Sequence, residues 1–377
     1  VPGRSPRGTP RPAIATTKGA FFALSVADLD ASTAWYTEKL GLAVVLSVPR
    51  SNGVAVRVLE GGGLIVELTE HDDGAPTACT GSEPALCHGL YKVGVLVKDL
   101  DRTLAKLAER GVPVETLHDW RDVYFGGRSP EPNETNSAEL VRTVAEGRAD
   151  LGLATDGDAD RFGIVDRDGR FVAANDILAV LVDYLIESRG WEGGVARSVA
   201  TTHLVDRVAA RHGRQVFETP VGFKYIGELI NADRIVLGGE ESAGLSIRGH
   251  IPEKDGILAC LLVAEAVARR GKSVGDMLAE LTAAVGTIYN RRIGVRLTDE
   301  QTARLRDRLA TETPDEIGGR RVARIDRTDG AKYLLDDESW VLMRPSGTEP
   351  LVRIYAEATT VEQLEVLLES GREYVSR

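Results

Sequence analysis

Cysteine is scarce and poorly spaced. Cys79, Cys87 and Cys260 form no CxxC pair and have no histidine at zinc-site intervals. Three such thiols argue against a disulfide framework or a thiolate metal site and fit a reducing compartment. Long apolar runs are missing too: none reaches the ~18 residues of a membrane-spanning helix. Positive charge is outnumbered, with 46 Lys and Arg against 57 Asp and Glu for a net charge of −11. That balance speaks against general nucleic-acid binding and against an anionic membrane surface. The opening VPGRSPRGTPRPA lacks the apolar core of a secretory signal, so residues 1–18 read as a disordered tail and the cytoplasm is the expected compartment. What is present is ordinary globular material. The 377 residues are 43% apolar and 27% charged, enough for two to four domains of roughly 100–200 residues each.

An internal echo marks the first part. Val26-Ala27-Asp28-Leu29-Asp30 returns as Val97-Lys98-Asp99-Leu100-Asp101, and each copy follows a short apolar strand, FFALSV and then VGVLV. Asp at a helix start satisfies free N–H groups. Gly41 and Gly111 suit the left-handed position that ends each helix. With LAVVLSV, VAVRVLE and LIVELTE as further strands, the pattern is β-α-β-β-β, followed by a second β-α that stops short. A polar, turn-rich stretch, FGGRSPEPNETN, then leads to a helix near NSAELVRTVAEG and a strand LGLAT. From about residue 175 strands and helices alternate: DILAVLVDYLIESR, ARSVAT, HLVDRVAARHG, QVFET, FKYIGELIN, RIVLGG and GILACLLVAEAVARRG. That rhythm implies a mostly parallel sheet covered by helices. From Tyr289 the order becomes RRIGVRL, DEQTARLRDRLA, RVARID, WVLMR, LVRIYAEA and a closing helix from VEQLEVLLESG, as in a separate α+β domain. The fold class expected is α/β throughout, ending in that α+β domain.

The chemistry concentrates at strand ends. LATDGDADRFGIV crowds Asp156, Asp158 and Asp160 into five positions ahead of Arg161. Carboxylates that close repel unless a cation lies between them. An EF-hand loop would need Gly at its sixth position and Glu at its twelfth; Arg161 and Arg167 stand there instead. A hard, all-oxygen cation site suits Mg2+, with Arg161 as a fixed charge beside it; an acidic turn is the plainer alternative. Arg344-Pro345-Ser346-Gly347-Thr348-Glu349-Pro350 lies between two apolar strands and offers a phosphate cradle of hydroxyls, backbone and guanidinium, with Arg353 on the next strand. A simple hairpin loop would share its Pro, Ser and Gly. Gly239-Glu240-Glu241-Ser242-Ala243-Gly244 could pair with sugar hydroxyls, and Lys224 in TPVGFK with a phosphate or sugar oxygen. Either could also be a solvated loop.

Taken together, residues from about 119 to 377 resemble the α-D-phosphohexomutases, the phosphoglucomutases and phosphomannomutases. DGDADR is similar to the metal loop of that family, GEESAG to its sugar loop and RPSGTEP to its phosphate loop, while FGGRSPEPN, SVATTHLVDR and TPVGFK follow in family order. The resemblance implies an isomerase of carbohydrate metabolism, an intramolecular phosphotransferase that moves phosphate between C1 and C6 of glucose or mannose. A phosphoserine donates its phosphoryl group to the free hydroxyl, and the hexose 1,6-bisphosphate reorients and returns the other. It further implies Mg2+ on Asp156, Asp158 and Asp160, with Arg161 supporting. Lys224, Glu240, Ser242, Arg344, Ser346, Gly347, Thr348 and Arg353 would bind substrate. Partial and complete mutase domains are expected over 116–172, 173–288 and 289–377.

The phosphoserine segment of that family, T-A-S-H-N-P, has no counterpart. None of His71, His88, His118, His203, His212 and His250 is preceded by Ser and followed by Asn-Pro, and Ser129 in GRSPEPN matches a different segment. In its place, residues 19–115 resemble the glyoxalase/bleomycin-resistance (vicinal oxygen chelate) superfamily through VADLDAS and TAWYTEKLGL. The histidine positions of that superfamily hold Phe21 and Lys92, with Glu67 aligned to one acid, so a binding or structural role is expected rather than metal catalysis. Three readings follow: a mutase impaired by its missing nucleophile, a sugar-phosphate-binding or regulatory fusion, and glyoxalase-like catalysis, the weakest. A truncated sheet exposes an edge: either the glyoxalase-like β-α completes it, or the region folds poorly, or a protein partner or second copy covers it.

Overall fold

The computed structural model describes residues 17–26, 28–51, 54–61, 64–71, 74–75, 86–87, 89–97, 115–118, 127, 129–346 and 351–377. Gly111, the helix expected after Asp99, Cys79, Gly347 and Thr348 lie outside them, as do residues 1–16 of the expected tail. Thr17 and Lys18, assigned to that tail, instead begin a strand. The chain divides into two compact units after Leu117.

In the first unit the β-α-β-β-β order holds, with strands Thr17–Ser25, Ala43–Ser51, Val54–Gly61 and Leu64–His71 and the helix Leu29–Leu40. Asp28 caps that helix by accepting from the Ala31 amide, and Gly41 ends it in the left-handed region at φ 68°. The first strand runs parallel to Leu64–His71 and antiparallel to Gly89–Val97. In this register Ala23 lies between Glu67 on one neighbour and Lys92 on the other. Leu29, Leu42, Leu59, Val66 and Leu68 form the core between helix and sheet.

The second unit begins with the helix Ala138–Ala145 against an antiparallel sheet of Leu151–Thr155, Phe162–Asp166 and Phe171–Val172. Among the described residues, Leu151–Thr155 is an edge paired only with Phe162–Asp166. On it Leu153 is 38% exposed, and Leu261 on an adjacent helix is 61% exposed. A four-stranded sheet follows, in the order Val216–Thr219, Gly194–Ser198, Ile235–Glu240, Gly244–Ile247. The first three strands are parallel, as the alternation implies, and the fourth is antiparallel. GEESAG is therefore a tight turn between two antiparallel strands. The helix Ala174–Arg189 is buried continuously from Ile177 to Ile186, the pattern of a helix covered on all sides. Helix Gly256–Arg270 starts at an Asp255 cap, and Val274–Val285, which apolar spacing alone did not single out, starts at a Ser273/Asp276 capping box.

The last domain is a six-stranded antiparallel sheet in the order Tyr289–Arg296, Leu351–Ala358, Trp340–Pro345, Ala331–Leu335, Arg320–Asp326, Glu316–Ile317. The helices Asp299–Thr311 and Val361–Ser376 complete it. Ala331–Leu335 escaped the sequence pattern because its AKYLL places a lysine in a fully buried position. Among the described residues no helix is long and apolar enough to cross a membrane.

Candidate active site

The strand Leu151–Thr155 delivers the three aspartates at its carboxyl end. Asp156 shapes the loop: its Oδ1 accepts from the amides of Asp160 at 2.9 Å and Arg161 at 3.0 Å. The turn passes through Ala159 at φ 59°, a left-handed conformation. One carboxylate oxygen from each of Asp156, Asp158 and Asp160 lies within 4.8 Å of the others. Burial, then the charges of Asp160 and Asp158, push the Asp156 carboxyl up to about 6, against the opposing pull of the Arg161 amide. The Oδ1 of Asp160 is buried without a hydrogen-bond partner, while its Oδ2 meets Lys254 Nζ at 2.5 Å. A buried carboxylate oxygen left unsatisfied among two other acids is what a hard cation would satisfy, so the donor set fits a divalent metal. Arg161 spans the loop. Its Nη1 lies 3.0 Å from Glu131, and its Nε lies 3.7 Å from both Asp156 and Asp160.

The other loops connect to this one by hydrogen bonds. The Phe162 amide donates to the carbonyl of Ala243 in GEESAG, and the Gly256 amide donates to the carbonyl of Ala159. Glu240, 4% exposed, accepts the Gly222 amide on its Oε1 at 2.7 Å, and burial raises its pKa. Gly222 sits at φ 132°, a conformation that favours glycine. The helix Phe223–Asn231 begins there and carries Lys224 in its first turn, with Nζ 4.9 Å from the centre of the Tyr225 ring. Next, the Val221 amide donates to Asp329 Oδ2 at 3.1 Å, and that same oxygen accepts from Arg344 Nε at 2.8 Å. The relay thus runs from the acidic loop through Ala243, Glu240, Gly222, Val221 and Asp329 to Arg344.

Arg344 and Arg353 face each other in register on neighbouring strands. Two like charges so placed repel, and an anion between them would relieve the repulsion. Ser346 closes the mouth of this hairpin, its amide donating to the Leu351 carbonyl at 2.8 Å. Ser242 is half-buried in the turn after Glu240. The relay joins the elements carrying Asp156, Asp158, Asp160, Arg161, Lys224, Glu240, Ser242, Arg344, Ser346 and Arg353. Gly347 and Thr348 lie outside the described residues.

Sequence reasoning missed three contributors: Glu131, Lys254 and Asp329. They act through contacts distant in sequence, and no local spacing announces them. Glu241 belongs to the acidic doublet of GEESAG. Its amide donates to Thr201 Oγ1, its Oε2 accepts from Ser198, and it lines a cavity of about 280 Å³ with Asn175, Arg292, Trp340 and Tyr355. A second acidic group, Asp183, Glu187 and His212, is crossed by Arg270 and Arg211. These arginines supply the cation there.

Comparison with known proteins gives the same order of parts. The phosphoglucomutase/phosphomannomutase alpha/beta/alpha domain II matches residues 91–169, alpha/beta/alpha domain III matches 173–285 and the C-terminal domain matches 293–372. The glyoxalase/bleomycin resistance protein/dioxygenase superfamily matches residues 20–127, so both families claim 91–127. A phosphoglucomutase/phosphomannomutase of Thermococcus kodakarensis is 32% identical over 70% of this chain and 56% of its own length. A phosphopentomutase of the same organism is 31% identical over 72% of this chain and 58% of its own length. The crystal structure of a candidate phosphomannomutase from Thermus thermophilus superposes with a TM-score of 0.61 at 34% identity, covering 72% of this chain and 57% of that one. The chain thus spans just over half the length of the relatives it matches.

Proposed function

Residues 91–372 belong to the phosphoglucomutase/phosphomannomutase family, and from that premise we propose that this chain binds a hexose phosphate together with Mg2+ across the four linked loops. The observation that carries the reading is the relay from the aspartates to Arg344. It ties a cation site, a sugar loop and a guanidinium pair together by backbone and carboxylate hydrogen bonds. Asp156, Asp158 and Asp160 hold the metal, which when bound neutralises charge on a phosphoryl oxygen. Arg344 and Arg353 take the phosphate that stays in place, with Ser346, Gly347 and Thr348 around it. Lys224, Glu240 and Ser242 orient the sugar. Glu240 holds the Gly222 amide on one oxygen and offers the sugar the other.

Interconverting the 1- and 6-phosphates of glucose or mannose also needs a phosphoryl donor, and no residue here matches the phosphoserine segment. We therefore propose that the lone chain binds well and turns over weakly. Calorimetry with glucose 6-phosphate, mannose 6-phosphate and ribose 5-phosphate, with and without Mg2+, tests the first half. Hexose phosphates are expected to bind, and silence at millimolar ligand overturns the reading. A coupled assay converting glucose 1-phosphate to glucose 6-phosphate tests the second half, and turnover comparable with complete mutases would sink it. The missing donor favours one further reading, a cytoplasmic sugar-phosphate-binding or regulatory protein in which the glyoxalase-like sheet takes a separate ligand. Saturable binding with no turnover even at high enzyme concentration would support it. Among the described residues Leu151–Thr155 is an edge, and a partner or second copy covering it would be revealed by sedimentation of the purified chain.

A further inference from the structure

Lys332 is a charged residue in a place that charge rarely occupies. It sits on the strand Ala331–Leu335 of the last domain and is 1% exposed. All three of its hydrogen-bonding partners belong to the preceding domain: the Val199 carbonyl at 2.8 Å, His203 Nε2 at 2.9 Å and Glu218 Oε2 at 3.3 Å. Beneath it lies Trp340 of its own domain, with the ring centre 4.2 Å from Nζ. Glu357, on the same sheet, reaches the same partner domain, accepting from Thr202 Oγ1 and the His203 amide as well as from Trp340 Nε1. Arg197 adjoins the cluster, held by Asp206 and Glu218. Burial and the nearby cations Lys332, Arg197, Arg207 and Arg324 lower the pKa of His203, so it stays neutral.

The position matters for the loops. Lys332 pairs in register with Leu342, two residues before Arg344 on the same strand. The strand that carries the guanidinium is thereby indexed to the domain that carries Glu240 and Lys224. We propose that Lys332 is the positioning residue that sets the phosphate loop against the sugar loop, by locking the last domain onto its neighbour. This rests on the hexose-phosphate reading above.

The junction has a definite pH response. Burial, aided by Arg197 and opposed by Glu218 and Glu357, pushes the Lys332 ammonium down to about 8. A lysine released to water titrates near ~10.4. Parting the two domains therefore takes up a proton between these values, and the junction tightens as pH rises from about 8 towards ~10. Below about 8 the group is charged in both forms and contributes no pH dependence. The neutral amine can keep its hydrogen bonds while shedding the cost of a buried charge.

The test compares wild type with Lys332→Met, which keeps the length and loses charge and donors. Expected results for the variant are glucose 6-phosphate binding weakened about tenfold, within the usual range for coupling between sites, and Mn2+ affinity unchanged. Proteinase K should also cut the connection at residues 286–288 faster. A folded variant with unchanged sugar-phosphate affinity and unchanged proteolysis overturns the proposal. If wild type binds no sugar phosphate, the function proposed above falls, and the proteolysis alone decides the positioning role. Should the variant fail to fold, tryptophan emission of the wild type decides. A step centred near pH 8 that Trp340→Phe abolishes is expected, and its absence overturns the proposal.

Discussion

Asp329 Oδ2 accepts from the side chain of Arg344 and from the backbone amide of Val221, so a single carboxylate oxygen ties the phosphate loop to the loop that precedes Lys224. Truncating it should uncouple the two. Asp329→Ala is expected to weaken glucose 6-phosphate binding about tenfold. The loss of both hydrogen bonds, to Arg344 and to the Val221 amide, at a partly exposed site should cost about 1–3 kcal/mol of stability. Calorimetry and urea denaturation on the same preparation separate the two effects.

Asp160 should dominate metal affinity. Its Oδ1 is buried without a hydrogen-bond partner, and Asn in its place removes the charge while keeping the shape. Asp160→Asn is expected to lower Mn2+ affinity by about 100-fold, at the upper end of losses seen around metal ligands. Spin-resonance titration of free Mn2+ measures it, and an affinity within about twofold of wild type would contradict the assignment.

Gly244 leaves room for a lysine stem. A Cβ there would lie 2.3 Å from Lys254 Cδ and 2.7 Å from Cγ, on the path that takes Lys254 to Asp160. Gly244→Ala should therefore displace the lysine and cost about 1–3 kcal/mol, as overpacking does. The same experiment on Gly249, where an added Cβ meets nothing within 4 Å but φ is 76°, isolates backbone strain from crowding.

Asp176 supplies a pH test away from the site. Burial pushes its carboxyl up to about 6, against the pull of Arg170. The unfolded chain ionises this group near ~3.9, so its contribution to stability is full below that value and is lost as pH rises through about 6. Asp176→Asn should match wild type at pH ~3.5 and be more stable by about 1–3 kcal/mol at pH ~8. Denaturation curves at both pH values check it, and equal stability at the higher pH would refute it.

The sequence made the strand ends legible because turn chemistry and apolar runs are local. The helix over FKYIGELIN matches its observed limits, and LVRIYAEA does the same as a strand. The aspartate triplet announced itself by crowding alone. What stayed hidden depended on tertiary partners. AKYLL does not look like a central strand until Val199, His203 and Glu218 are seen to satisfy its lysine. Helix Val274–Val285 is begun by a capping box rather than marked by a long apolar face. Asp329 and Lys254 matter through single long-range contacts, which leave no periodic trace.

The donors that join the four loops are mostly main-chain amides: Phe162, Gly256, Gly222 and Val221. An amide is supplied by every residue type except proline. The side chain at the half-buried Val221 can therefore drift without disconnecting the cleft, whereas a single proline there would sever the phosphate loop from the sugar loop. The architecture is robust to ordinary substitution and brittle to one. A library randomised at Val221 and selected for sugar-phosphate binding should be depleted first of that imino acid.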